Sequence, residues 1–191
     1  MLNKRGISQA FVAQSFSQRL CLSSQALSTP RPNGELQLRA ATVFDVFEIS
    51  QVLLASITQL CQQDHGHESQ QLAQWGASMA PGDIRDWIAA GQIPTVAVDQ
   101  GRIAGLGLAT LQGEITLLHV AAWAMGHGVG HALLNHLEAE LAALGCAEGH
   151  LVAPHSALGF FQAHGWQPVE VASPRAGLWG NVMGKVLQVE R

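Results

Sequence analysis

Apolar and polar positions change period several times along the chain, and the changes mark out its elements. Leu36-Gln37-Leu38-Arg39-Ala40 alternates, as a strand with one buried face does. Phe44, Phe47, Ile49, Val52, Leu53, Ile57 and Leu60 then recur at helical spacing. They predict a helix to about Cys61, capped by Thr42. A second helix is expected around Gln70, Leu72 and Trp75, and a third after Pro81-Gly82-Asp83, carrying Ile84, Trp87 and Ile88 and stopping at Gly91. Strand patterns follow at Thr95–Val98 and Ile103–Ala109 around the turn Asp99-Gln100-Gly101, and at Glu114–Val120 after Gln112-Gly113.

The Glu114–Val120 run enters Met125-Gly126-His127-Gly128-Val129-Gly130-His131, and these alternating glycines open an amphipathic helix. Leu133, Leu134, Leu137, Leu141 and Leu144 form its expected buried side, and Gly145 its stop. A strand at Gly149–Val152, a helix at Ser156–His164 with Ser156 as N-cap, and strands near Trp166–Val171 and Asn181–Leu187 complete the reading. This order predicts an α/β fold of the α+β type. One mixed, largely antiparallel central sheet carries helices on both faces. Helix-start N–H groups are unpaired and sit at the positive end of the helix dipole, and glycine lets a ligand approach them. The loop therefore suits a phosphorylated cofactor.

Residues 35–191 form the expected single domain. Residues 1–34 contain Lys4, Arg5, Arg19 and Arg31 and no acid, and they end in Ser28-Thr29-Pro30-Arg31-Pro32-Asn33-Gly34. That composition fits a poorly ordered extension, with an organelle transit segment as the alternative to a cytoplasmic protein. The remaining residues hold 6 basic and 14 acidic side chains. Such an acidic domain is a poor match for nucleic acid and is compatible with a cationic amine substrate. No apolar run reaches the roughly 18–20 residues that span a bilayer, so no membrane role is expected. Cys21, Cys61 and Cys146 form no CxxC pair or disulfide framework, which favours a reducing compartment. His65, His67, His127 and His131 lack the spacing of a metal site, and none is expected.

Two stretches together resemble the GNAT superfamily of acyl-CoA-dependent N-acetyltransferases. Met125-Gly126-His127-Gly128-Val129-Gly130 is similar to the family's pyrophosphate loop, Arg/Gln-x-x-Gly-x-Gly/Ala. Ala157-Leu158-Gly159-Phe160-Phe161-Gln162-Ala163-His164-Gly165-Trp166 is similar to its Ala-x-x-Phe-Tyr-x-x-x-Gly-Phe ending. The resemblance covers about residues 36–187 and implies a GNAT-like domain that takes acetyl-CoA as co-substrate, without a metal. It implies acetyl transfer to a primary amine of a small molecule, peptide or protein by direct attack in a ternary complex. The backbone at Leu118, His119 and Val120 would hold the pantetheine arm and acetyl group. Met125, Gly126, His127, Gly128, Val129, Gly130 and His131 would hold the pyrophosphate, with Ser156 and Phe161 as further cofactor neighbours. A homodimer is compatible with the reading.

Two residues are candidates for acid–base work. Glu114 lies eleven positions before Met125, the spacing of the base-carrying glutamate in the histone-acetyltransferase-like branch. A solvated residue beside the Gln112-Gly113 turn is its bland alternative. His119 has an imidazole suited to proton transfer, or else packs against the helix layer. In a regular strand the two face opposite sides, and a bulge between them would change that. Two departures from the family pattern bear on catalysis. Met125 replaces the loop's usual Arg or Gln, and Phe161 stands where a tyrosine often protonates the departing thiolate. The chain has no tyrosine at all. A non-catalytic acyl-CoA-binding module, sensor or interaction partner, is therefore the alternative function. A dinucleotide-binding oxidoreductase fits poorly, because Gly126-x-Gly128-x-Gly130 is not Gly-x-Gly-x-x-Gly.

Overall fold

Small residues at the middle of the sheet let one helix lie directly on the backbone. A Cβ on Gly105 would come within 2.7 Å of the His119 carbonyl oxygen and 2.9 Å of Leu133, and one on Gly107 within 2.7 Å of Leu137. The computed structural model describes residues 36–60, 79–90, 92–169 and 180–188. It shows a seven-stranded sheet built from β1 (Gln37–Ala40), β2 (Ile93–Asp99), β3 (Arg102–Ala109), β4 (Glu114–Val120), β5 (Glu148–Ala153), β6 (Gln167–Pro168) and β7 (Asn181–Val186). Their order is β1-β2-β3-β4-β5-β7-β6, and every pairing is antiparallel except β4 with β5. This is the α+β architecture, with a mixed and largely antiparallel sheet, that the sequence predicts.

Helices cover both faces. Helix α1 (Val46–Leu60) is followed by α2 (Pro81–Ala89), and the two pack together. Helix α3 (Val129–Ala143) lies on the opposite face, over Gly105 and Gly107, and α4 (Leu158–Ala163) follows β5. Leu133, Leu134, Leu137 and Leu141 of α3 are fully buried, each contributing on the order of 2 kcal/mol. Beside them Glu138 closes a polar cluster. Its carboxylate accepts hydrogen bonds from the Trp166 indole at 2.7 Å and from Lys185 at 2.6 Å. Among the described residues no helix is long and apolar enough to cross a membrane.

Several details depart from the predicted pattern, each for a local reason. Thr42 does not cap α1. Its N–H and hydroxyl both donate to the Asp45 carboxylate, which also receives the Arg39 guanidinium at 2.8 Å, and the Asp45 carbonyl accepts the first helical bond from Ile49. Starting at Val46, the helix buries Val46, Ile49, Leu53 and Ile57 and turns Phe44 and Phe47 outward, 92% and 64% exposed. Leu144 is likewise outside, because α3 ends at Ala143 and the chain turns there. Ser156 falls within a 3₁₀ turn at His155–Ala157, so α4 begins at Leu158 without a side-chain cap. The expected helix around Gln70, Leu72 and Trp75, the extension 1–34, Gly91, and the part of the expected strand beyond Val169 lie outside the described residues.

Candidate functional site

Strands β4 and β5 pair only at Glu114–His150 and Ile115–Leu151, although β4 continues to Val120 and β5 to Ala153. Beyond Ile115 the two strands part, and the sheet opens a gap between them. The opposite edge of β4 stays zipped to β3. The Ala121 N–H donates to the Ala104 carbonyl at 2.8 Å, and the His119 carbonyl faces Gly105. Backbone groups alternate along a strand, so those of Leu118 and Val120 turn the other way, into the gap. An extended amide-bearing chain fits there as a substitute strand.

The same pairing settles the direction of the candidate acid–base side chains. Leu108 pairs with Leu117 but Ala109 pairs with Ile115, so Thr116 is an extra residue, a β-bulge. Val120 and Leu118 share the α3 face with Gly105 and Gly107, and Ile115 shares it with Ala109. Glu114 and His119 therefore both fall on the α1 face. Because β4 and β5 are in parallel register there, His150 lies beside Glu114 on that face.

His119 is fully buried there, sharing a 3.1 Å hydrogen bond between its Nδ1 and the hydroxyl of Ser56 on α1. Burial in this apolar layer pushes its pKa down to about 3, so the ring is neutral throughout the physiological range. Glu114 is half-buried, and its N–H donates to the Thr110 hydroxyl at 3.3 Å. Of the two, Glu114 is the one with access to solvent, in the paired segment just before the strands part.

The glycine loop lies at the open end of β4. A 3₁₀ turn at Ala122–Ala124 leads through Met125 to Gly126 and Gly128, whose φ values of +74° and +79° are left-handed. Only glycine takes that conformation without strain. Gly128 stands just before α3, and no side chain caps the helix. The first helical bond runs from the Ala132 N–H to the Gly128 carbonyl at 3.0 Å, which leaves the N–H groups of Val129, Gly130 and His131 at the helix start. A Cβ on Gly126 or Gly128 would meet nothing within 4 Å, so the approach to these groups is open. A diphosphate fits this cradle. Gly130 is different: it packs against Phe160 and Val120, where a Cβ would make ordinary contacts near 3.5 Å.

The remaining candidates occupy the wall behind the loop. Phe161 is fully buried, edge-on to Phe160 and Trp166, and supplies no hydroxyl. His131 reaches His164, with Nδ1 of His131 2.7 Å from Nε2 of His164. His164 and His150 carry no local signal of their placement, since helix α4 and the parallel β4–β5 register bring them in from far along the chain. Among the described residues no group of three or more His, Cys, Asp or Glu stands together as a metal site.

A family model described as an acetyltransferase (GNAT) domain matches residues 49–187. Among solved structures, the chain is similar to a GCN5-related N-acetyltransferase from Rhodopseudomonas palustris, with 25% identity and a TM-score of 0.69, over 80% of this chain and 96% of that one. It is also similar to the PaiA N-acetyltransferase of Thermoplasma acidophilum in complex with coenzyme A, with 13% identity, a TM-score of 0.68 and coverage of 80% and 99%. A third is the ribosomal-protein-S18-alanine N-acetyltransferase of Escherichia coli, with 13% identity, a TM-score of 0.58 and coverage of 82% and 96%. No curated protein matches the sequence.

Proposed function

Because the chain belongs to the GNAT acetyltransferase family, we propose that it moves an acetyl group from acetyl-CoA to a primary amine of a small molecule or peptide. The observation that carries this reading is the parting of β4 and β5 beside an open glycine loop. The N–H groups at the start of α3 bind the cofactor diphosphate. The backbone of Leu118 and Val120 holds the pantetheine arm in the gap, and a strand N–H there faces the thioester oxygen as negative charge develops on it. Holding amine and thioester together in reacting geometry supplies much of the rate.

Glu114 removes the proton from the attacking amine, directly or through water, from the α1 face of the sheet. His119 keeps β4 seated on α1 through Ser56 and stays neutral. With Phe161 in place of a tyrosine, the departing thiolate takes its proton from solvent. The acidic balance of residues 35–191 favours a cationic acceptor.

Incubation with acetyl-CoA and a panel of amines tests the reading. The expected result is amine-dependent release of free CoA thiol with a matching acetylated product. Absence of both thiol release and any cofactor-induced thermal shift overturns it. The buried, hydroxyl-free Phe161 favours one second reading, an acyl-CoA-binding module without turnover. That reading predicts the thermal shift without the product.

A further inference from the structure

Phosphate recognition normally draws on lysine or arginine, and neither occurs in the glycine loop or in the helix it opens. From Ile103 through Pro174 the sequence has no Lys and no Arg, yet it holds seven of the nine histidines. Met125 also lacks the charge or hydrogen-bonding group that the family places at the loop's first position. The cations of the described residues are bound by carboxylates or sit on α2, apart from Arg102 at the turn that leads into the loop. Arg39 is bound by Asp45 and Lys185 by Glu138, while Arg102 lies over the Trp123 ring at 4.6 Å and Arg85 sits on α2.

His131, in the first turn of α3, and His164, at the end of α4, form a pair that is built to take one charge. His164 Nδ1–H donates to the Phe160 carbonyl at 2.7 Å, so in the neutral ring Nε2 is an acceptor. His131 Nδ1–H then donates to that Nε2 at 2.7 Å, and His131 Nε2 accepts from the Asn135 amide at 3.0 Å. The rings lie 4.9 Å apart, and His164 packs on Phe160 at 4.4 Å. All four ring nitrogens are satisfied. A proton added at His131 Nε2 is accommodated when the Asn135 amide turns its oxygen inward. A second, on His164 Nε2, would set two donors face to face. The pair therefore stores one proton.

The geometry points to this pair as the switchable cation of the cofactor's phosphate site, so that binding the diphosphate draws a proton onto the enzyme. The inference rests on the proposed acetyl-CoA reading. With the diphosphate at the start of α3, a proton on the pair lies beside negative charge. The other titratable groups around the pair come from each neighbouring element. His127 precedes α3, and His155 lies in the turn before α4. Glu138 lies about two turns along α3, bound by Trp166 and by Lys185 of β7, whose side chain passes Gly165. Imidazole changes charge between about pH 5 and 8, whereas Lys and Arg do not. Phosphate affinity supplied by histidine is therefore present at low pH and lost as pH rises.

Calorimetric titration with CoA at pH 6, 7 and 8 and low salt, repeated in buffers of different ionisation enthalpy, tests this directly. The wild-type protein is expected to take up protons on binding and to lose about tenfold in affinity from pH 6 to 8. His131→Gln with His164→Gln flattens that slope, and Met125→Arg restores affinity at pH 8. CoA binding with no proton uptake and a flat pH profile overturns the inference while leaving the cofactor reading intact. So does a slope unchanged in the double variant. No CoA binding at any pH overturns the cofactor reading and this inference with it.

Discussion

Replacing Gly128 by aspartate places a carboxylate just before α3, where the diphosphate is expected. Gly128 has φ +79° and ψ 3°, and a Cβ there meets no atom within 4 Å. The cost to folding is therefore the backbone strain of a left-handed non-glycine residue, about 1 kcal/mol, without a steric clash. The cost to binding is electrostatic. Two diphosphate charges about 5 Å from the new carboxylate, in a surface environment with an effective dielectric constant between about 50 and 80, repel it by about 2–3 kcal/mol in total. That corresponds to a loss of about 30- to 150-fold in affinity. Gly128→Asn carries the same strain and nearly the same volume without the charge. Titration of CoA into both variants isolates the electrostatic part, which should shrink in 0.5 M salt. Equal affinity of the Asp and Asn variants would refute the placement of the diphosphate at the α3 start.

Three further outcomes follow from the geometry. Glu114→Gln should lower kcat by about 10²- to 10³-fold while leaving the KM for acetyl-CoA nearly unchanged, read from initial rates of thiol release. His119 is neutral when folded but protonates below about pH 6.5 when unfolded. Stability from this group is thus present above that pH and falls by about 1.4 kcal/mol per unit as pH drops toward 3. Urea unfolding at pH 7 and 5 should show this loss in the wild type and less of it in His119→Gln. Glu138→Ala leaves Lys185 and the Trp166 indole without their acceptor, and should cost about 2–4 kcal/mol in urea unfolding.

How much of this was legible in the sequence depended on the range of the interactions involved. The Glu114–Val120 strand and the α3 leucines follow from local periodicity, and the structure places the strand at the same residues. The helix start after alternating glycines was readable because positive φ is a property of single residues. Phe44 and Phe47 fit the helical period yet face solvent, since the helix phase depends on where Asp45 starts it. The bulge at Thr116 could be named beforehand only as a condition, because it arises from the register of β4 against β3. The burial of His119 against Ser56 and the meeting of His131 with His164 join residues 63 and 33 positions apart. Such pairs are set by tertiary packing, and composition carries only an indirect sign of them.

Everything proposed for this chain depends on acetyl transfer from acetyl-CoA to an amine at the gap between β4 and β5. Mass spectrometry of an amine panel incubated with acetyl-CoA and either the wild-type protein or Gly128→Asp tests it most directly. One or more amines should gain 42 Da with the wild-type protein, with far less product from the variant at limiting acetyl-CoA. Acetyl-CoA binding with no amine acetylated above the enzyme-free background would contradict it.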